Sequence, residues 1–137
     1  MAMNGAANGA VTGGVRTVLR LEGLLVLVAA ALAYGRFGLG WGTFALFFLV
    51  PDVSFLGYLA GPRAGAAAYN AAHSYVGAAA CIAAGVLLAG TFPQWVTGAG
   101  LIWAAHIGMD RAIGFGLKYA TGFGATHLGA IGRGRAS

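Results

Sequence analysis

The chain has 137 residues, the length of a single domain. It is 59% hydrophobic and only 8% charged, whereas a soluble domain carries about 25% charged residues, so a soluble fold with a fully hydrated surface is excluded. The formal net charge is +5, but the basic residues are scattered and form no stripe with interleaved aromatic residues, which argues against nucleic-acid binding.

Four segments are long and apolar enough to be membrane-spanning helices, since a bilayer core of about 30 Å needs about 20 apolar residues. Residues 1–15 precede them and are expected to be a disordered tail. The four predicted helices run over Thr17–Tyr34, Trp41–Ala60, Ala66–Leu88 and Gln94–Ile113. The predicted fold is therefore an all-α, four-helix antiparallel bundle over residues 16–119, followed by a Gly-rich basic tail at 120–137.

The last two predicted helices come from one stretch, from Arg63 to Asp110, that has no charged residue between its ends. The stretch is too long for one span, and the Pro93–Gln94 pair at its middle predicts a turn. The first of these two helices consists mainly of small residues, which allow helix backbones to approach closely in a bilayer. We therefore expect it to be the central, best-buried helix, with Gly77 on its inward face.

The distribution of cations predicts the orientation, because cytoplasmic loops are enriched in Lys and Arg. With four spans, both termini and the second loop lie on one side of the membrane. That side carries six cations, Arg16, Arg20, Arg63, Lys118, Arg133 and Arg135, and the other side carries only Arg36. Both termini are therefore predicted to be cytoplasmic.

Ionisable residues within the spans are costly in a bilayer and are candidates for function. They are Glu22, Asp52, His73, His106 and Asp110, with Arg111 at the edge and Asn70 and Ser74 as uncharged companions. At about 1.5 Å of rise per residue, Asp52, His73 and His106 lie at similar depths, roughly 9–12 Å from the predicted cytoplasmic face. The sequence thus predicts one polar pocket, shared by all four helices and open to the cytoplasm.

Each of these residues also has a structural explanation. Asp52 could bond backbone groups freed by Pro51, and either histidine could form a hydrogen bond between helices. Asp110 could form an ion pair with its neighbour Arg111, and Glu22 could extend to the lipid headgroups. Their shared depth favours the common pocket over four separate explanations.

Several strings in the chain, LRLEGL, PDVSFLGYLAGPR, AYNAAHSY and HIGMDRAIGFGLKYATGFGATHLG, resemble a family of small bacterial membrane proteins known as domain-of-unknown-function family 4260. The resemblance covers about Arg20 to Gly132. It implies a four-span protein of the bacterial inner membrane with no assigned activity. Its polar positions correspond here to Glu22, Asp52, Asn70, His73, His106, Asp110, Arg111 and His127.

Three functions are consistent with this pattern. The first is a metal-dependent hydrolase of a lipid or lipid-linked substrate. In this interpretation His73, His106 and Asp52 bind zinc or manganese, and Asp110 is a further ligand or the general base. Asp52 and Asp110 would then be the catalytic carboxylates. The second is a haem protein with His73 and His106 as axial ligands. The third is a non-catalytic protein, such as a proton or small-molecule carrier or an interaction partner, for which a homo-oligomer would be needed.

Overall fold

The computed structural model describes residues 9–37 and 39–131. Five α-helices form most of the fold, with a 3₁₀ helix between the second and third. They are α1 (Gly13–Phe37), α2 (Trp41–Phe47), the 3₁₀ helix (Val50–Ala60), α3 (Pro62–His73), α4 (Tyr75–Leu87) and α5 (Trp95–Ile113). A short antiparallel hairpin follows, made of β1 (Ala125–Thr126) and β2 (Gly129–Ala130).

Within the described residues, three helical segments are long and apolar enough to cross a membrane, namely Gly13–Phe37, Trp41–Ala60 and Pro62–Leu87. Large apolar side chains such as Leu25, Leu32 and Leu59 are exposed along them, as expected where lipid is the solvent. The all-α class is confirmed. The fourth predicted span is helical as α5, but α5 is not among these three segments, so the four-span bundle remains a prediction.

Two of the predicted spans are interrupted. The second predicted helix is divided at Phe48 into α2 and the 3₁₀ helix, which carries Pro51 in its first turn. The third is divided at Ser74, whose backbone is extended (φ −91°, ψ 150°). A long 3₁₀ run is uncommon and often marks a functional region, and non-helical backbone at membrane depth is tolerated only where protein or a cavity covers it.

The central helix is α5, so the prediction that the small-residue helix is the best buried was wrong. Twelve residues of α5 are buried, against four in α3 and two in α4. It packs mainly against α1 and α4, whereas α3 packs on the 3₁₀ helix. Glycines permit the close packing of α5 on α1, since a Cβ at Gly108 would lie 2.6 Å from the carbonyl oxygen of Gly23 in α1. Small residues allow close approach on either partner, and they do not decide which helix is enclosed.

The segment after α5 folds back onto the helices. Lys118, Thr126 and Leu128 are buried, and the Val11 amide donates to the His127 carbonyl at 2.8 Å. Part of the Gly-rich basic tail predicted at 120–137 therefore contacts the rest of the chain, and residues 132–137 of that tail lie outside the described residues. Residues 1–8 of the disordered tail predicted at 1–15 also lie outside the described residues. The end of that predicted tail belongs to α1, which begins at Gly13.

Candidate metal centre

Four of the predicted polar residues converge in the interior. Asp52, His73, His106 and Asp110 each direct one ligand atom to a common centre, and these atoms all lie within 4.8 Å of one another. The prediction of a shared polar centre is confirmed for these four residues, although α1 contributes no member.

Local chain geometry places each member of the cluster. Asp52 follows Pro51 in the first turn of the 3₁₀ helix, and Pro is well tolerated there because no helical partner is needed for its missing N–H. His73 ends α3, directly before the break at Ser74. His106 and Asp110 lie one turn apart on α5, a spacing that puts both side chains on one face.

The interatomic distances match those expected around a small cation. His73 Nε2 lies 3.2 Å from Asp52 Oδ1, 3.2 Å from His106 Nε2 and 3.4 Å from Asp110 Oδ2. His106 Nε2 lies 3.3 Å from Asp52 Oδ1 and 3.5 Å from Asp110 Oδ2. In a tetrahedral site with bonds of about 2.0–2.2 Å, ligand atoms lie roughly 3.3–3.6 Å apart. Five of the six pairs are close to that range.

The proton on His73 is directed away from the cluster. Its Nδ1 lies 3.0 Å from the backbone carbonyl oxygen of Tyr69, one turn earlier in α3. A carbonyl can only accept, so Nδ1 carries the hydrogen, and in the neutral imidazole Nε2 presents a lone pair. A metal-binding histidine is commonly oriented in this way by a second hydrogen bond. The Tyr69 ring also stacks on the imidazole at 3.8 Å, which fixes the plane of His73.

No Lys or Arg side chain neutralises the two carboxylates in the part of the chain that the structure describes. The ion pairs found there join Asp52 and Asp110 only to the two histidines. Arg111 does not pair with Asp110, because its guanidinium donates to the carbonyls of His73 (2.6 Å) and Phe115 (2.9 Å). With both histidines neutral the cluster carries a charge of −2, which one divalent cation would balance.

The cluster is reached from the side of Asp52. Both histidine side chains are fully buried and Asp110 is nearly so, whereas the Asp52 side chain is 37% exposed. The second ring nitrogen of His106, Nδ1, is buried and has no hydrogen-bond partner among the described residues. The Phe48 ring packs against this imidazole edge-on, with centroids 5.5 Å apart.

An apolar cavity of about 630 Å³ is bordered by sequence neighbours of two cluster residues, although no cluster side chain lines it. Its walls include Pro51 and Ala72, the residues that precede Asp52 and His73, together with Trp103 from α5. The cavity therefore borders the same three helical elements that supply the four polar side chains.

Three of the predicted supporting residues lie elsewhere. Glu22 is exposed on α1. Asn70 forms two hydrogen bonds with the backbone of Lys118, at 2.7 and 2.8 Å, and Ser74 caps α4 by accepting from the Val76 amide. The fourth, Arg111, is not a member of the cluster, but its guanidinium donates a hydrogen bond to the backbone carbonyl of His73.

Lys118 and Tyr69 were not singled out from the sequence as site residues. Lys118 Nζ donates to the Phe123 carbonyl and lies 4.9 Å from the Tyr69 ring centroid, so it backs the ring that stacks on His73. Burial lowers the pKa of Lys118, and the charge of Asp110 acts in the opposite direction. The sequence could have indicated Tyr69, because it lies four residues before His73 on the same helix. The position of Lys118 results from a contact between distant parts of the chain, and no sequence pattern predicts it.

His127, the third histidine, is separate from the cluster. Its Nδ1 accepts from the Leu117 amide at 2.9 Å, and its own amide donates to the Leu117 carbonyl at 3.1 Å. It holds the turn after α5 against the hairpin.

Comparison with known proteins identifies the family. The sequence model described as "Domain of unknown function (DUF4260)" matches residues 16–131. The chain therefore belongs to this family, as the resemblance indicated. Searches of curated proteins and of solved structures gave no significant match.

Proposed function

We propose that this member of the DUF4260 family binds one divalent metal ion within the membrane and uses it to hydrolyse a lipid or lipid-linked substrate. His73, His106 and Asp52 are the proposed ligands. Asp110 is the fourth ligand or the general base. The proposed setting is the bacterial inner membrane, with both termini cytoplasmic.

The observation that carries the proposal is the set of five distances of 3.2–3.5 Å among nitrogen and carboxylate oxygen atoms. Hydrogen bonding alone does not account for it, because His73 Nε2 has three such neighbours and at most one proton. Lone pairs and negative charge directed at one point are stabilised by a cation placed there.

The chemistry of the four atoms favours zinc, with manganese as the alternative. Zinc takes imidazole nitrogen and carboxylate oxygen in tetrahedral sites, and carboxylates also suit manganese. Such an ion supplies Lewis acidity toward a carbonyl or phosphoryl oxygen and acidifies water. Asp52, exposed at the edge of the cluster, marks the side from which a substrate would approach.

The neighbouring cavity supports a substrate with a hydrocarbon chain. It is lined mainly by apolar and aromatic residues, and ligand sites typically combine such walls with a few polar groups. A hydrocarbon chain of the substrate that lies against Trp103 would place the polar end of the substrate toward the segment that carries Asp52. We infer a lipid or a lipid-linked group on this basis.

The geometry argues against haem. The two Nε2 atoms are 3.2 Å apart, whereas an iron atom between two imidazoles needs about twice a 2.0 Å bond. The carboxylates of Asp52 and Asp110 also contact both imidazoles, where a porphyrin would lie.

Metal content and hydrolysis should be measured on the same preparations. Protein purified in mild detergent is expected to hold about one zinc or manganese per chain, and His73→Gln and Asp110→Asn are expected to reduce metal affinity by at least about tenfold. His127→Gln is the matched control, since that histidine lies outside the cluster. Release of a headgroup or acyl group from bacterial lipid extract should then follow metal content.

The two parts of the proposal fail in different ways. Bound metal without metal-dependent hydrolysis would leave a non-catalytic metal protein. If wild type and His73→Gln both lack metal after reconstitution, the cluster is a proton-sharing site, and the carrier function becomes the better account.

A further inference from the structure

A second polar site lies where the beginning of α1 meets the end of α5. The pocket there has a volume of about 150 Å³. It is lined by Arg16, Thr17 and Arg20 of α1, by the turn at residues 113–115, and by residues 130–131 at the end of the hairpin. It shares no lining residue with the metal centre.

A hydrogen bond to the backbone holds the Arg20 side chain in place. Arg20 Nε donates to the Ala112 carbonyl in the last turn of α5, at 2.8 Å. This bond uses one of the five guanidinium N–H groups and fixes the side chain between the two helices. The terminal nitrogens remain available to a ligand, because a guanidinium presents its donors as a rigid fork.

The second arginine lies against the hairpin. A Cβ at Gly129 would lie 2.6 Å from Arg16 Nη2, so this glycine leaves the space that the guanidinium occupies. Arg16 Nε is buried and has no hydrogen-bond partner among residues 9–37 and 39–131. A buried donor of this kind is expected to have a partner, so the guanidinium of Arg16 has unused hydrogen-bonding capacity.

The charge of the pair is not balanced nearby. Among the described residues, the ion pairs are those between the cluster histidines and Asp52 or Asp110, and neither arginine takes part in one. Arg16 and Arg20 lie one turn apart, so two positive charges face the same small pocket. An anion would relieve their repulsion.

We propose that Arg16 and Arg20 form a binding site for a phosphate group. Two guanidinium forks match the geometry of phosphate oxygens, whereas the Thr17 hydroxyl in the pocket wall donates to the Gly13 carbonyl. Both arginines lie in the first two turns of a helix long enough to span the bilayer, within about 10 Å of its beginning. The phosphate could come from an anionic phospholipid or be free in solution.

The test uses the full chain in neutral detergent and compares wild type, the Arg16→Gln/Arg20→Gln double variant and Arg36→Gln. Arg36 is the matched control, because it lies in the last turn of the same helix. Two probes are titrated at constant ionic strength, phosphatidylglycerol in detergent micelles and inorganic phosphate, with phosphatidylcholine and chloride as references. Binding is measured by native mass spectrometry and by the shift in melting temperature.

The double variant is expected to bind at least about tenfold more weakly, since hydrogen bonds to charged groups are among the strongest, while Arg36→Gln binds as wild type does. Tight binding of phosphatidylglycerol alone identifies the membrane as the source, and binding of both probes identifies the phosphate group itself. Equal binding by wild type and the double variant, or an equal loss in Arg36→Gln, would overturn the proposal.

A lysine double variant keeps the test decisive if the double glutamine variant does not fold. If the double glutamine variant does not give a monodisperse, helical protein, Arg16→Lys/Arg20→Lys keeps the charge and removes the forked geometry. It is expected to bind several-fold more weakly than wild type. Unchanged affinity in a folded lysine variant would show that no built phosphate site exists.

Discussion

The Nε2 atoms of His73 and His106 lie 3.2 Å apart, although the two histidines come from different helices and are 33 residues apart in sequence. Asp52 Oδ1 lies 3.2 Å from the first nitrogen and 3.3 Å from the second. Two basic nitrogens and an anionic oxygen at such distances are stable when protons or a cation lie between them. This contact is the basis for the metal-binding proposal.

Replacement of Arg111 should destabilise the fold around the cluster. Arg111→Met removes the donors to the carbonyls of His73 and Phe115, and an unsatisfied buried group costs about 1–3 kcal/mol. Thermal unfolding in detergent should show the loss for Arg111→Met, and Arg36→Met, in the last turn of α1, should show none. An unchanged melting temperature for Arg111→Met would mean that these bonds contribute nothing.

A large side chain at Gly77 should destabilise the packing of α4 on α5. A Cβ there would already meet the Trp103 indole, so Gly77→Leu is expected to cost about 1–3 kcal/mol. Ala79→Leu is the control, because Ala79 is an exposed position of the same helix. Equal melting temperatures for the two variants would show that Trp103 moves aside without cost.

The segment after α5 should loosen in acid. Burial and the positive charge of Arg111 lower the pKa of His127. The folded pKa is therefore below the unfolded value of about 6.5, so stability is full above that pH and falls as the pH decreases through it. The protection factors of the amides at residues 114–131, which are corrected for the pH dependence of intrinsic exchange, should fall between pH 7.5 and 5.5 in wild type and stay constant in His127→Gln. An equal fall in the variant would assign the effect to another group.

The orientation can be tested with reporter fusions. Fusions at Ser137 and near Arg63 are expected to report the cytoplasm, and a fusion in the turn at residues 88–94 the opposite side, because the loop cations favour that arrangement. A C-terminus on the outer side would contradict the predicted orientation and with it the cytoplasmic opening of the cluster.

The sequence was sufficient to predict the helices and the four cluster residues, because hydropathy and the cost of burying charge leave strong local signals. The breaks at Phe48 and Ser74 were not predicted, although Pro51 was visible, since the residues around Ser74 are compatible with a continuous helix. The central position of α5 was also missed. It depends on how α5 packs against α1 and α4 at the same time, as at the close approach of Gly108 to Gly23, and hydropathy does not encode that packing.

The role of Arg111 shows the same limit. Its neighbour Asp110 suggested an ion pair, but the guanidinium turns to the His73 carbonyl, which leaves the carboxylate to the cluster. Adjacent residues on a helix point about 100° apart, so the partner across the interface was the better candidate.

X-ray absorption spectroscopy of the bound ion tests the metal centre most directly. For zinc-loaded protein, we expect about four nitrogen and oxygen ligands at roughly 2.0–2.2 Å, with the outer-shell scattering of two imidazoles and no sulfur. His73→Gln should lose one imidazole contribution or the ion itself, and His127→Gln should give the wild-type spectrum. A sulfur contribution, or a shell of oxygen atoms alone that His73→Gln leaves unchanged, would contradict the assignment of Asp52, His73, His106 and Asp110 as the metal site.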